Sequence, residues 1–307
     1  MKHCINKSRL WQNFKVFQLT TNMRVRASGD PQLEEFDRWT LSIGNGEMRE
    51  LQVPDDLIST KIVKNSRENP SSEQQAMEGF VDQIFPDIVI NIGDPHWLEG
   101  RCILAATNKE VDMINDMVVG KLPGTTDKMY SADSLDNNGD LLRVTEEYLN
   151  TLQPNGFPTH VLKLKPGMPL MLLRNLDPSE GLCNGTKLVY VRNIGNKVLE
   201  CKIVGSLKTV LIPRIIFIPK IGEYAFEWQR RQFPVRPAFA TTINKAQGQT
   251  LKMAGIWLRT QVFTHGQLYV ACSRVGSRDR LRFAVRVTDN GEAEKIPNVV
   301  FKEVLLK

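Results

Sequence analysis

The sequence predicts an α/β protein with a mostly parallel sheet, into which a small β-barrel is inserted. Apolar, strand-like runs alternate with helical patterns from residue 101 and again after residue 236, and this alternation is typical of parallel sheets. Between the two stretches lie short period-two runs separated by Gly and Asn turns, which indicate β-hairpins. A chain of 307 residues is long enough for one large or two ordinary domains.

The first 85 residues carry the weakest signals. A strand-like run, KVFQL, covers residues 15–19, and an acidic stretch and the turn-rich IGNGE follow it without a clear period. The run NPSS at 69–72 predicts a helix start, because Pro is favoured in the first turn and the apolar residues that follow recur at helical spacing. This segment is predicted to be an incomplete domain.

The α/β stretches are clearer. CILAAT predicts a buried strand, and Thr107-Asn108 can cap the helix that follows it, whose apolar residues share one face. After residue 236 the same pattern predicts two strands, a helix and a third strand. These are AFATTI at 238–243, GIWL at 255–258, a helix over about 265–274, and LRFAVRV at 281–287.

The middle of the chain is read as the barrel. Strand-like runs occupy 162–175, 186–192, 198–204 and 208–214, with Pro166 and Pro169 at strand ends or bulges. We therefore predict three parts. They are an N-terminal part at 1–85, an α/β domain made of 86–160 and 232–307, and the inserted barrel at 161–231.

Charge is distributed unevenly along the chain. Residues 1–160 contain 16 Lys and Arg against 24 Asp and Glu, whereas residues 161–307 contain 24 against 10. A basic half of this size favours a polyanionic partner such as nucleic acid, since neutralised phosphates release counterions. The alternative is an ordinary solvated surface with scattered lysines.

Several classes of protein are disfavoured. The five cysteines are widely spaced without a CxxC pair, and the four histidines stand far apart, so we predict neither a disulfide framework nor a metal site. The sequence contains no apolar run long enough to span a bilayer and no signal-peptide pattern. We expect an intracellular protein without a membrane partner.

Three segments together resemble superfamily 1 DNA helicases of the PIF (petite integration frequency) family, including its Helitron-transposon type. They are LTTNMR at 19–24, FATTINKAQGQTL at 239–251 and HGQLYVACSRV at 265–275, in that order. The resemblance covers nearly the whole chain. It implies two RecA-like domains that sandwich ATP and Mg²⁺, with an SH3-like barrel inserted in the second. Residues 1–85 would then be a remnant of the first domain and a linker.

The resemblance assigns catalytic roles to two arginines. Arg24 and Arg274 match the family's arginines that reach the γ-phosphate, and a planar, permanently charged guanidinium suits that task. The structural alternative is that Arg24 is a surface charge and that Arg274 balances the dipole at a helix end.

The segment FATTINKAQGQTL matches a family motif that faces both DNA and nucleotide. By resemblance, Thr242, Asn244 and Lys245 would contact DNA phosphates, and Gln247 with Gly248 would lie nearer the ATP. Hydroxyl, amide and ammonium groups hold a backbone without reading bases. The family often has His in place of Asn244, so an imidazole contact is not expected here.

A further pair of candidates follows the predicted strand ILAAT. Thr107 and Asn108 are either donors to DNA phosphates or simply the cap of the following helix, and the sequence leaves both open. Ala106 and Cys272 stand where relatives often have Pro and Leu.

Part of the family's ATP site has no counterpart in the sequence. There is no GxxxxGK[ST] loop to hold phosphates and no apolar run that ends in Asp-Glu to hold Mg²⁺; Gly185-Thr186-Lys187 is only superficially similar. We expect a C-terminal portion, with the missing pieces of the first RecA-like domain before residue 1 in a complete member. The resemblance implies a nuclear 5′ to 3′ helicase that binds single-stranded DNA. The alternatives are a non-enzymatic DNA-binding module and a barrel used for protein contact.

Overall fold

The computed structural model describes residues 8–15, 17, 29–63, 70–98, 100–135, 144–206 and 208–305. The helices are α1 Pro31–Gly44, α2 Pro70–Ile84, α3 Ile88–Asn91, α4 Pro95–Leu98, α5 Asn108–Lys121, α6 Glu146–Thr151 and α7 Gln267–Cys272. The strands are β1 Glu50–Leu51, β2 Ile58–Val63, β3 Arg101–Ala105, β4 Asp127–Tyr130, β5 Ala132–Leu135, β6 Val161–Leu164, β7 Pro169–Leu172, β8 Lys187–Ile194, β9 Val198–Ile203, β10 Thr209–Pro213, β11 Ile215–Phe217, β12 Trp228–Gln232, β13 Val235–Pro237, β14 Ala240–Thr242, β15 Met253–Leu258, β16 Leu281–Val287 and β17 Ile296–Pro297. The strand predicted at 15–19 lies mostly outside the described residues.

The chain forms two compact units. Unit 1 contains residues 1–84, 103–110 and 241–307, and unit 2 contains residues 85–102 and 111–240. The three-part division derived from the sequence stays a prediction. Within the described part of the chain, no helix is long and apolar enough to cross a membrane.

Unit 1 contains most of a five-stranded sheet in the order β14-β3-β15-β16-β2. Strand β15 runs parallel to β16, and β16 runs parallel to β2, so the predicted parallel sheet with helices is confirmed. Strand β16 has the bounds expected from LRFAVRV. Strand β14 is shorter than expected, because AFATTI passes into a 3₁₀ turn at Ile243–Ala246. Helix α7 is also shorter than expected, since it begins only after Gly266, whose φ is 68°, and ends at Cys272.

Helix α2 packs against β15 within unit 1. A Cβ added to Gly255 would lie only 2.7 Å from Cγ1 of Ile84 and 2.9 Å from the Phe80 ring. Phe80, Ile84 and Trp257 are fully buried, so the helix and the strand pack together without solvent-exposed surface at these side chains. Glycine at position 255 is explained by this close approach, since any larger residue would push α2 outward.

Helix α1 was not predicted from the sequence. It begins at Pro31, and the carboxylate of Asp30 accepts a hydrogen bond from the Gln32 amide at 2.9 Å, which is an N-cap with Pro in the first turn. Phe36 and Ile43 are its buried apolar side chains. Its buried positions Phe36, Thr40 and Ile43 recur at helical spacing, so the sequence carries the period of a helix although it was not recognised.

Unit 2 is built largely from antiparallel strands. Its main sheet has the order β10-β9-β8-β7-β13, and its second sheet has the order β11-β12-β5. Strands β8 and β9 form a hairpin whose two turn residues, Gly195 and Asn196, have φ of 57° and 56°. Positive φ at both positions matches the type I′ turn that joins twisted strands. The predicted hairpins are therefore present, whereas their closure into a barrel stays a prediction.

A buried ion pair organises part of unit 2. The side chains of Arg230 and Asp133 are both fully buried, with Nη2 of Arg230 2.6 Å from Oδ2 of Asp133. The same guanidinium donates to the carbonyl oxygens of Leu149, Leu152 and Pro158 at 3.0 to 3.1 Å. Since Nε also donates to the Asp133 carboxylate, all five N–H donors of Arg230 are used, and they hold α6 and the segment after it against β12.

Candidate functional site

The described candidate residues follow strands β3 and β14, which are neighbours in the sheet of unit 1. Thr107 and Asn108 come after β3. Thr242 ends β14, and the rest of that motif lies in the turn that follows. Arg24 lies outside the described residues, so its role stays a prediction.

The turn after β14 has buried residues at its two ends and exposed residues between them. Ile243 and Ala246 are fully buried, whereas Asn244 and Lys245 between them are exposed. A 3₁₀ turn of this length directs two adjacent side chains outward while its first and last residues enter the core. The side chains of Asn244 and Lys245 therefore project into solvent from a turn whose two ends are buried in the core.

Gln247 and Gly248 continue the exposed side of this motif. Gly248 has φ of +82°, and nothing lies within 4 Å of a Cβ built on it. The left-handed backbone explains why glycine is favoured there. The backbone at Gly248 is accordingly open to a close approach by a ligand.

The described structure brings Arg274 to the same turn. Its Nη1 donates to the carbonyl oxygen of Gln249 at 2.9 Å and to that of Ala246 at 3.3 Å. Its Nε donates to Val270 O at 2.8 Å, and its Nη2 donates to Ser273 Oγ at 2.8 Å. Partial burial lowers the pKa of the Arg274 guanidinium from its ordinary value, although an arginine stays charged.

The contacts of Arg274 include the end of helix α7, where Nε donates to Val270 O, and also the turn after β14. Four of its five N–H donors are used, and two of the bonds cross to the backbone on either side of Gln247 and Gly248. Arg274 therefore fixes the shape of the turn that carries the exposed candidates. A phosphate contact through two guanidinium N–H groups would compete with these bonds.

Thr107 acts as the cap of helix α5. Its hydroxyl accepts from the Glu110 amide at 3.4 Å, as an N-cap side chain does, and donates to Oε2 of Glu110 at 2.9 Å. The other oxygen of the buried Glu110 carboxylate accepts from the Thr260 amide at 2.8 Å. Of the two readings left open by the sequence, the geometry favours the cap for Thr107, while Asn108 is exposed.

Two positioning residues were missed by sequence reasoning. Glu110 ties the end of β3 to the backbone after β15, and its spacing of three residues from Thr107 could have revealed it. Gln249 donates from Nε2 to the carbonyl oxygen of Lys245 at 3.2 Å and so spans the same turn as Arg274. Gln249 and Lys245 both belong to the motif FATTINKAQGQTL, but only the folded turn brings the Gln249 amide to the Lys245 carbonyl oxygen.

The structure also limits which cofactors these residues can hold. Among the described residues there is no group of three or more His, Cys, Asp or Glu side chains that could hold a metal ion. Of the residues that the resemblance places near ATP, the described structure contains Gln247, Gly248 and Arg274, and most N–H donors of Arg274 are already used. These groups could contact one side of a nucleotide but do not form a complete site for ATP and Mg²⁺.

Comparisons with known proteins agree on one family. Residues 147–194 match "DNA helicase Pif1, 2B domain", and residues 1–54 match "PIF1-like helicase". The ATP-dependent DNA helicase PIF1 of Danio rerio is 34% identical over 194 residues, which is 61% of this chain and 28% of that protein. The Homo sapiens protein of the same name is 31% identical over 191 residues, 58% of this chain and 26% of its own length. The matched region thus spans about a quarter of these relatives.

Solved structures share the fold. A Pif1 helicase from Candida albicans matches 97% of this chain and 62% of its own, with a TM-score of 0.58 and 21% identity. A Bacteroides Pif1 helicase in complex with ADP-AlF3 and single-stranded DNA matches 91% of this chain and 53% of its own, with a TM-score of 0.52 and 20% identity. At these identities the likeness shows the fold alone.

Proposed function

This chain is a relative of the PIF1-type DNA helicases, and from that premise we propose that it forms the DNA-contacting part of an ATP-dependent DNA helicase. The unwinding activity is proposed for the protein in which this chain works together with a domain that supplies the phosphate-binding loop. The named relatives are ATP-dependent DNA helicases, and one structural neighbour was solved with single-stranded DNA.

The proposed DNA contacts are Thr242, Asn244 and Lys245. The exposed amide and ammonium groups stand on a turn whose flanking residues, Ile243 and Ala246, are buried. Such groups can hold phosphates without distinguishing bases, as a protein that moves along DNA requires. Thr107 is committed to its helix cap, so Asn108 is the better candidate after β3. We expect single-stranded DNA to bind without sequence preference.

One observation carries this proposal. The guanidinium of Arg274, proposed to face the nucleotide, is hydrogen-bonded to the backbone at Ala246 and Gln249, on the turn proposed to face DNA. A movement of Arg274 is therefore transmitted to the turn. This arrangement suits a motor in which the nucleotide state and the grip on DNA must change together.

The contacts with the nucleotide form a separate part of the proposal. Gln247, Gly248 and Arg274 would face ATP, and Arg24 would supply a second arginine by resemblance alone. Hydrolysis of ATP would provide the free energy for movement along DNA, and Mg²⁺ would neutralise charge on the phosphates. The absence of GxxxxGK[ST] from these 307 residues means that the phosphates must be held chiefly by another domain, and we assign no hydrolytic step to this chain.

Two finer features belong to the same proposal. The antiparallel strands of unit 2 are proposed to close into an SH3-like barrel, and the direction of travel is proposed to be 5′ to 3′. The missing phosphate-binding sequence also favours a second candidate function, a single-stranded DNA-binding module without catalysis. ATP hydrolysis by a protein with both domains separates the two.

The test is a chimaera in which this chain replaces the corresponding part of the Candida albicans Pif1 helicase. We expect ATP hydrolysis stimulated by single-stranded DNA, reduced by about 10³-fold or more in Arg24→Ala and in Arg274→Ala. Arg278→Ala serves as the control, because Arg278 pairs with the exposed Asp56. Normal turnover in both arginine variants would contradict the assigned roles. DNA binding without any ATP hydrolysis would favour the non-catalytic module.

A further inference from the structure

A cavity lies in unit 2, and none of its lining residues has a role assigned above. It has a volume of about 420 Å³ and is formed by the loop between β11 and β12 and by the start of β12. Its apolar lining includes Ile218, Tyr224, Phe226 and Trp228. The loop itself therefore builds a concave apolar surface, which small globular proteins usually avoid unless something occupies it.

The aromatic side chains of this loop form a continuous platform. The ring of Tyr224 lies 5.9 Å from that of Phe226 and 5.7 Å from that of Trp228, measured between centroids. Tyr148 adds a fourth ring, 6.2 Å from Phe226. Rings at these spacings hold one another in place, so the platform can receive a ligand with little loss of side-chain freedom.

Trp228, which lines the cavity, carries a hydrogen-bond donor that has no partner in the described structure. Trp228 is 1% exposed, and its indole Nε1 makes no hydrogen bond there. A buried indole N–H normally finds an acceptor, because leaving it unpaired costs free energy. A shift of the loop that exposes this N–H would let it donate to a carbonyl oxygen of a bound molecule.

Two isoleucines at the cavity extend its apolar surface into solvent. Ile218 is 69% exposed and Ile221 is 100% exposed, and both line the cavity. Exposed β-branched residues beside an apolar concavity are typical of a surface that becomes buried on binding.

Local charge indicates which class of macromolecule fits. The loop contains Glu223 and Glu227 against a single basic residue, Lys220. The loop has a net charge of −1, so it attracts phosphates less than the Lys245 turn does, and nucleic acid is disfavoured. An acidic rim instead complements a basic side chain on a protein partner.

We propose that this loop binds an extended segment of a partner protein that carries a proline or branched aliphatic anchor and a neighbouring Arg or Lys. The cavity takes the anchor, the aromatic platform packs against the extended backbone, and the indole N–H donates to a backbone carbonyl. An extended segment is favoured over a helix, because helical carbonyls are already paired with the helix's own N–H groups.

The test uses the full chain and a display library of short random peptides, selected on the wild type and counter-selected on Ile221→Asp. Ile221 is fully exposed, so the substitution removes the anchor surface without burying a charge. Leu211→Asp is the matched control, because Leu211 is 57% exposed on β10 and lies outside the cavity. We expect enriched peptides to contain a proline or aliphatic anchor beside a basic residue.

A synthetic copy of an enriched peptide then gives the decisive measurements. Its affinity should fall by about tenfold or more in Ile221→Asp, as for a central interface residue, and stay unchanged in Leu211→Asp. The indole N–H resonance of Trp228, assigned with Trp228→Phe, should shift on binding. The proposal is overturned if no peptide is enriched over Ile221→Asp, if Leu211→Asp loses as much affinity, or if oligo-thymidine displaces the peptide.

Discussion

The substitution Arg274→Ala should destabilise the protein much more than loss of a surface arginine. The side chain donates four hydrogen bonds, and two of them cross to the turn after β14, to Ala246 and Gln249. A hydrogen bond from a charged donor contributes about 1.5 to 3 kcal/mol. Ala246 is fully buried, so its carbonyl loses a partner that water replaces poorly, whereas Gln249 is half-buried. We therefore expect a loss of about 2 to 3 kcal/mol.

Thermal unfolding followed by circular dichroism measures this loss. For a protein of this size, 2 to 3 kcal/mol corresponds to a fall in Tm of roughly 3 to 5 °C. Arg278→Ala is the matched control: its side chain and that of Asp56 are 34% and 59% exposed, and a surface pair contributes at most about 1 kcal/mol. Equal Tm values for the two variants would refute the view that Arg274 holds the turn.

Two further predictions concern other parts of the chain. The isolated chain should show no ATPase activity stimulated by single-stranded DNA above background, because its sequence holds no phosphate-binding loop; turnover comparable to that of a complete helicase would contradict this. Arg230→Ala should lower the stability by about 3 to 5 kcal/mol, because it leaves the carboxylate of Asp133 buried without its partner. The exposed neighbour Arg231 provides the control substitution for thermal unfolding, and a similar Tm in the two variants would show that the ion pair contributes little.

Local patterns predicted the regular elements best where burial is strongest. Five of the seven residues of strand β16 are buried, among them Leu281, Phe283 and Val285. The predicted bounds of this strand are those of the structure. Helix α1 was missed, although Asp30 before Pro31 is a helix start and Phe36 and Ile43 share one face of the helix, so both signals could have been recognised. The sequence showed the motif after β14 but not its 3₁₀ turn, since that turn depends on the burial of Ile243 and Ala246.

The candidate site was predictable in its residues but not in its contacts. Resemblance singled out Arg274 and the turn, yet the bond from Arg274 to Gln249 joins residues 25 positions apart, and no local pattern encodes it. The capping role of Thr107 was open in the sequence and is favoured by the bond to Glu110. The pairing of Arg230 with Asp133 spans 97 positions and could be found only after the strands were placed.

The most direct test of the central claim is the binding of labelled oligo-thymidine to the isolated chain at several salt concentrations, followed by fluorescence anisotropy. The logarithm of the affinity should fall linearly with the logarithm of salt concentration, and Lys245→Ala should weaken binding and reduce the slope by about 0.7. Lys61→Ala removes the same charge from β2, at the opposite edge of the five-stranded sheet from β14, and should leave both quantities unchanged. Affinity independent of salt, or equal losses in the two lysine variants, would contradict the claim that the turn after β14 contacts DNA.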